Sequence, residues 1–213
     1  MTPLPGTVFL VDDDPGVLKA LTRLLRASGR EVRAFSSPEE FLSEHDPAIP
    51  GCLLFDVAMP GRDGLELHRD LAASGIERAV VFISGRGDIP TSVRAMKAGA
   101  VDFLTKPFDD DELLSAVEIA IERDGLLRRN RAERTSIQRR VATLTSREHQ
   151  VLEHVVSGQL NKHIAAELGT VEKTVKVHRG RIMRKMGAGS LVELVRLADL
   201  AGIRPAPLRP LAG

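Results

Sequence analysis

The sequence predicts an α/β domain, a doubly wound parallel sheet of five strands, followed by a small all-α helix-turn-helix domain. Short apolar runs (Val8-Phe9-Leu10-Val11, Cys52-Leu53-Leu54-Phe55, Val80-Val81-Phe82-Ile83, and Val101 to Leu104) each stop at a polar group, as strands buried on both faces do. Amphipathic stretches alternate with them, which is the pattern of βαβ units around a parallel sheet. Near residue 126 the charge inverts. Residues 1–125 hold 13 Lys and Arg against 22 Asp and Glu, net −9, whereas residues 126–213 hold 17 against 7, net +10.

Strands are expected at about 7–12, 31–35, 51–56, 79–83 and 101–104. After the first, Asp14-Pro15 opens a helix whose Val17, Leu18, Leu21, Leu24 and Leu25 share one face. Asp109, Asp110 and Asp111 suit the positive end of a helix dipole and start a helix through Leu113, Leu114, Val117 and Ile121. The charged, proline-free stretch that continues it reads as a helical linker. Helices then follow at about 145–157, 161–168, 172–186 and 190–201, the first marked by the capping-box spacing of Thr145 and Glu148. Pro205, Pro207 and Pro210 leave an extended or disordered tail. The division is therefore 1–124, a linker at 125–142, a basic helical domain at 143–204 and a tail at 205–213.

A chain of 213 residues, 43% hydrophobic, suffices for two packed domains. Its single cysteine, Cys52, cannot build a disulfide framework, and its apolar runs fall far short of the roughly 20 residues of a membrane span. A cytoplasmic protein with no membrane role is expected. With no Trp or Tyr, the basic half lacks stacking platforms for single strands, so duplex DNA is the favoured polyanion.

The polar groups that end the runs converge at the carboxyl edge of the sheet, where such folds place their ligands. There a carboxylate can accept a phosphoryl group, provided that a divalent cation neutralises the crowded charge. Mg²⁺ takes oxygen ligands, which Asp13 and Asp56 can supply with Asp12 nearby. Lys106 can pair with a phosphoryl oxygen, Ser84 can donate to another, and a cis Lys106-Pro107 bond would aim the ammonium inward. Singly, each has a duller meaning: Asp14 as a helix cap, Asp56 and Asp63-Gly64 as turn residues. Their joint occurrence at the ends of successive strands favours a phosphate-accepting switch.

Asp12-Asp13, Asp56 with Met59-Pro60-Gly61, Ser84-Gly85 and Lys106-Pro107-Phe108 resemble the receiver domain of two-component response regulators across about residues 6–123. The segment from Gly87-Asp88-Ile89-Pro90 to Leu104 is similar to the FixJ-like branch. The resemblance implies a flavodoxin-like fold with Asp56 as phosphoacceptor. It implies Asp13, Asp56 and the Ala58 main-chain oxygen as Mg²⁺ ligands, with Asp12 acting indirectly through water. Ser84 would be the switch hydroxyl, Lys106 the phosphate-pairing cation and Phe103 the rotating aromatic. Ala58 departs from the family, where many relatives carry a polar side chain, so an altered dephosphorylation rate is expected.

In the basic half, Leu168-Gly169-Thr170-Val171 joins two helices at helix-turn-helix spacing. On the second, Val175, Ile182 and Met186 share a face to be buried, and Lys173, Lys176, Val177, Gly180 and Arg184 share another. That face can enter a major groove, with Lys176 reaching guanine acceptors and Val177 a thymine methyl, while Arg179, Arg181 and Lys185 meet phosphates. Leu144-Thr145-Ser146-Arg147-Glu148, Asn161-Lys162 and Glu172 to His178 resemble the LuxR-type DNA-binding domain over about 143–203. The resemblance adds Asn161, Lys162 and Thr174 to the DNA-facing set. Leu160 and Val171 stand where relatives commonly place a capping Ser, which leaves Thr170 as an alternative cap.

The expected function is a transcriptional regulator of a two-component system. A sensor histidine kinase phosphorylates Asp56, the protein forms a homodimer, and it binds double-stranded promoter DNA, with RNA polymerase as a further partner. Catalysis would be limited to Mg²⁺-dependent self-phosphorylation from a phosphodonor and self-dephosphorylation. Two rivals stand beside this reading. A small acyl-phosphate phosphatase is suggested by Asp12-x-Asp14 and would turn over phosphomonoesters; a phosphorylation-independent DNA-binding regulator would bind identically with Asp56→Asn.

Overall fold

The computed structural model describes residues 6–85 and 89–207, and the chain divides into two compact units, 1–129 and 130–213. Gly87, Asp88, Pro210 and the rest of the predicted tail from residue 208, named above, lie outside the described residues.

In the first unit, β1 (Thr7–Val11), β2 (Glu31–Phe35), β3 (Gly51–Asp56), β4 (Val80–Ser84) and β5 (Asp102–Thr105) form one parallel sheet in the order β2-β1-β3-β4-β5. Helices α1 (Pro15–Ala27), α2 (Pro38–Glu44), α3 (Gly64–Ala73) and α4 (Ile89–Lys97), with the first turns of α5 (Asp110–Val141), supply the crossovers and covers. The three inner strands β1, β3 and β4 are buried at every residue because both faces are covered, which is why they read as unbroken apolar runs. Successive side chains alternate between two cores. Val8, Leu10, Cys52, Leu54, Val81 and Ile83 pack with Leu25 of α1 and Leu113 and Val117 of α5; Phe9, Phe55 and Phe82 pack with Phe41 and with Leu65 and Leu71 of α3.

Local chemistry starts these helices where the strands end. The Asp14 side chain accepts from the Gly16 and Val17 amides, and Pro15 fills the first turn. Asp63, expected as a turn residue, is the N-cap of α3 and forms a capping box with Glu66. The Lys106-Pro107 bond is cis.

The second unit comprises the end of α5 with α6 (Ser146–Val156), α7 (Asn161–Glu167), α8 (Glu172–Met186) and α9 (Leu191–Leu200). Val175, Ile182 and Met186 of α8 are fully buried together with Val151, Leu152 and Ile164. Ile137 of α5, 1% exposed, belongs to the same core, so the stretch read as a linker contributes to the second unit's packing. Thr145 and Glu148 form their capping box. Leu160 and Val171 are N-caps without a side-chain hydrogen bond, and Thr170 does not replace Val171, because the cap position falls one residue later. Residues 203–207 have no regular structure, but Ile203 packs on the core and the Ala206 amide donates to the Glu153 carbonyl at 3.0 Å.

Candidate functional site: an acidic pocket and a basic helix

At the carboxyl edge of the sheet, β3 lies between β1 and β4 and delivers Asp56 to the centre. Asp12 follows β1, Ser84 ends β4, and Lys106 follows β5. The Lys106 amide donates to the Ser84 carbonyl at 2.8 Å, which prolongs the β4–β5 pairing to the lysine itself. Its Nζ then reaches across the sheet to Asp12 Oδ2 and Asp56 Oδ1, both at 2.8 Å.

The remaining carboxylate oxygens are held by backbone. Asp12 Oδ1 accepts from the Asp14 amide at 2.9 Å, and Asp56 Oδ2 from the Ala58 amide at 2.6 Å. Asp12, Asp56 and Ser84 are all buried, whereas Asp13 and Ala58 are exposed at the pocket's rim. Gly64 is dictated by this site: a Cβ there would lie 2.3 Å from the Asp56 carbonyl oxygen, so α3 can begin beside Asp56 only without a side chain. Phe103, half-buried, sits opposite Phe82 in the β4–β5 register and packs on the aromatic core.

Electrostatically, burial raises the Asp12 carboxyl above its ordinary range, opposed by the Lys106 hydrogen bond and reinforced by the neighbouring Asp56 charge. Burial also works against the charged Lys106, but its bonds to Asp12 and Asp56 outweigh it, so the ammonium is held above its ordinary value. The pocket thus concentrates anionic oxygen around one cation.

Among the described residues, no group of three or more His, Cys, Asp and Glu is arranged to hold a metal ion by itself. The expected set needs fewer: two carboxylates, Asp13 and Asp56, with the Ala58 main-chain oxygen. An oxygen-only set of that size suits Mg²⁺, which keeps several waters and shares the rest with phosphate.

In the second unit, α7 and α8 meet through Leu168–Val171. Lys173, Lys176, Val177, Gly180, Arg181 and Arg184 are exposed on α8, opposite the buried face, with Thr174 partly covered between them. A cavity of about 570 Å³ lies between Asn161, Lys162, Lys176 and Arg179, and Arg179 Nη1 donates to Asn161 Oδ1 at 3.0 Å. Lys185 differs from the others. Its Nζ is bound to Glu148 Oε2 at 2.6 Å and the Thr143 carbonyl at 2.8 Å, so that ammonium ties α8 to α6.

Sequence reasoning missed three buried polar elements. Glu148, 2% exposed, holds Lys185 as well as its own helix cap. Arg78, also buried, donates to the carbonyls of Gly51 and Asp46 over the Phe9 ring. Asp124 accepts from the Gly51 amide and from Arg128, whose guanidinium also donates to the carbonyls of Pro47, Ala48 and Ile49.

Residues 8–118 match the response regulator receiver domain, and residues 142–198 match the luxR family of bacterial regulatory proteins. The nodulation protein W of Bradyrhizobium diazoefficiens is 48% identical over 92% of this chain and 86% of its own length. The transcriptional regulatory protein FixJ of Azorhizobium caulinodans is 46% identical over 93% of this chain and 94% of its own. Among solved structures, the response regulator StyR matches with a TM-score of 0.77 and 44% identity over 92% of this chain and 99% of that one. The chain belongs to the FixJ-like response regulators, which join a receiver domain to a luxR-type DNA-binding domain.

Proposed function

We propose that this regulator is switched by phosphorylation of Asp56 and, when phosphorylated, binds promoter DNA as a homodimer. The observation that carries the reading is the bridge from Lys106 Nζ to both Asp12 and Asp56, a fixed cation already aimed at the buried carboxylate in an oxygen-rich pocket. A phosphohistidine of a sensor kinase is the donor. An Asp56 carboxylate oxygen attacks phosphorus, the P–N bond breaks, the imidazole leaves with its electron pair and takes a proton, and an acyl phosphate forms.

Asp13, Asp56 and the Ala58 main-chain oxygen would hold Mg²⁺, with Asp12 orienting water. When bound, Mg²⁺ supplies charge neutralisation at the phosphoryl oxygens. Lys106 exchanges its Asp56 contact for a phosphoryl oxygen, and the Ser84 hydroxyl donates to another. Phe103 then turns inward, and the α4–β5–α5 face becomes the dimer surface; on α4 it already exposes Ile89, Val93 and Met96. Water later attacks the phosphorus of the acyl phosphate, the P–O bond to the Asp56 oxygen breaks, inorganic phosphate leaves, and Asp56 returns to its carboxylate.

For DNA, α8 enters the major groove with Lys173, Lys176, Val177 and Arg184 toward base edges, and Asn161, Lys162, Thr174, Arg179 and Arg181 toward phosphates. Lys185 would have to leave Glu148 to reach a phosphate, so its first role is to hold α8. Dimerisation places two such helices on half-sites about one helical turn apart. Among the described residues, no helix is long and apolar enough to cross a membrane, and the reading places the protein in the cytoplasm with its kinase, DNA and RNA polymerase.

The test is molar mass in solution with Mg²⁺, with and without beryllofluoride, on wild type and Asp56→Asn. A monomer-to-dimer shift in treated wild type alone is expected. No shift in either protein would overturn phosphate-driven dimerisation, and DNA binding unchanged by Asp56→Asn would favour a phosphorylation-independent regulator.

A further inference from the structure

The last turns of α5 do more than space the two units. Arg140 Nη1 donates to the carbonyl of Met186, the final residue of α8, at 2.9 Å. That carbonyl is one of the four that every helix leaves without an intrahelical partner, and a guanidinium there also meets the negative end of the α8 dipole. The fit is close. Gly187 ends α8 in the left-handed region at φ 65°, and a Cβ on it would stand 2.9 Å from Arg140 Nη1.

Two further contacts fix the same neighbourhood. Lys185 is bound to the Thr143 carbonyl in the turn after α5, and Ile137, one turn before Arg140, is buried in the second unit's core. A rigid 15-residue helix is about 22 Å long, so a small displacement at its C-terminal end tilts the exposed face formed by Lys176, Val177 and Arg184. Base readout requires side chains placed to within roughly 0.5 Å.

We propose that Arg140 is a positioning residue for DNA recognition: by holding the Met186 carbonyl it sets the angle of α8, so the end of α5 is part of the sequence-reading apparatus. The proposal rests on the assignment of α8 as the recognition helix. It differs from a phosphate contact, which a surface arginine on a basic domain could also make, and the two have separable signatures. Loss of a phosphate contact weakens binding to every sequence alike, whereas misplacement of the recognition helix reduces the preference for the correct sequence.

The experiment uses the full chain with Mg²⁺ and beryllofluoride. A duplex is first selected by wild type from a random pool, and affinities for it and for a scrambled duplex are then measured for wild type, Arg140→Ala and Arg140→Lys. The preference for the selected duplex is expected to fall about tenfold in Arg140→Ala, with scrambled binding within about twofold of wild type, and to be intermediate in Arg140→Lys, which keeps the charge and N–H donors but not the guanidinium's fixed fork. Equal weakening on both duplexes, or unchanged affinity on both, would overturn the proposal. If Arg140→Ala does not fold, Arg140→Lys decides by the same criterion. A wild type that selects no sequence would instead bring down the DNA reading of α8.

Discussion

Replacing Glu148 with Gln removes one negative charge from the interior of the DNA-binding unit while keeping nearly the same shape and an acceptor for Lys185 and the Thr145 amide. The Lys185 hydrogen bond, then the Thr145 amide, hold the Glu148 carboxyl down to about 2, from an ordinary 4.5. At 1.36 kcal/mol for each pKa unit, that difference corresponds to at most about 3 kcal/mol of stability near neutral pH. Lys185 is 32% exposed, and solvent screening of its ammonium brings the expected loss in Glu148→Gln to about 2 kcal/mol. The sign follows from a depressed folded-state value. The stabilisation is fully present above pH 4.5, declines as pH falls, and is lost as pH passes through about 2. Amide hydrogen exchange of α6 and α8 peptides in the full chain reads this unit separately from the receiver. Wild type and Glu148→Gln should differ most above pH 5 and converge toward pH 2. A difference below about 0.5 kcal/mol at pH 7, or one that does not shrink on acidification, would refute the reasoning.

Val171→Ser should stabilise α8 by about 1 kcal/mol, because Val171 is an exposed N-cap with no side-chain hydrogen bond, and slower exchange of α8 amides would record it. His45 stacks on Phe41 at 4.6 Å with both ring nitrogens buried and unpartnered, and burial, then the Arg78 charge, push its imidazole down to about 4. That depressed value makes the receiver lose up to about 3 kcal/mol as pH falls from 6.5 toward 4; urea midpoints of wild type should show this loss, and those of His45→Phe should lack that component. Ala58→Asn or Ala58→Arg should change the lifetime of phosphorylated Asp56, measured by loss of labelled phosphate, because a polar side chain beside Asp56 repositions the attacking water; an unchanged lifetime would exclude that role.

The strands and the pocket were legible in the sequence for one reason. A parallel sheet covered on both faces demands continuous apolar runs in its inner strands, so the first polar residue at each run's carboxyl end marks the edge where ligands bind, and Asp12, Asp56 and Ser84 stand there; the edge strand β5 carries Asp102 and Thr105, and Lys106 follows it at the same edge. Val175, Ile182 and Met186 were legible because helical spacing alone put them on one face, and all three are buried. The cations of the basic half had no comparable signal. Lys176, Arg140 and Lys185 look alike in a charge count, yet Lys176 is exposed on the face of α8 opposite the core, Lys185 is bound to Glu148, and Arg140 is bound to the Met186 carbonyl. Their partners lie 37 and 46 residues away, beyond any periodicity. The same applies in the receiver, where Arg128 reaches carbonyls about 80 residues earlier in the chain. Glu148 carried a visible signal, its capping-box spacing, but that first role concealed the second. Ile137, an isolated apolar residue between Arg134 and Arg139, was the remaining sign that the supposed linker packs into a core. A charge of +10 therefore says that the rear half suits a polyanion, but which cations face DNA and which hold the recognition helix is decided by the backbone that the fold brings opposite each one.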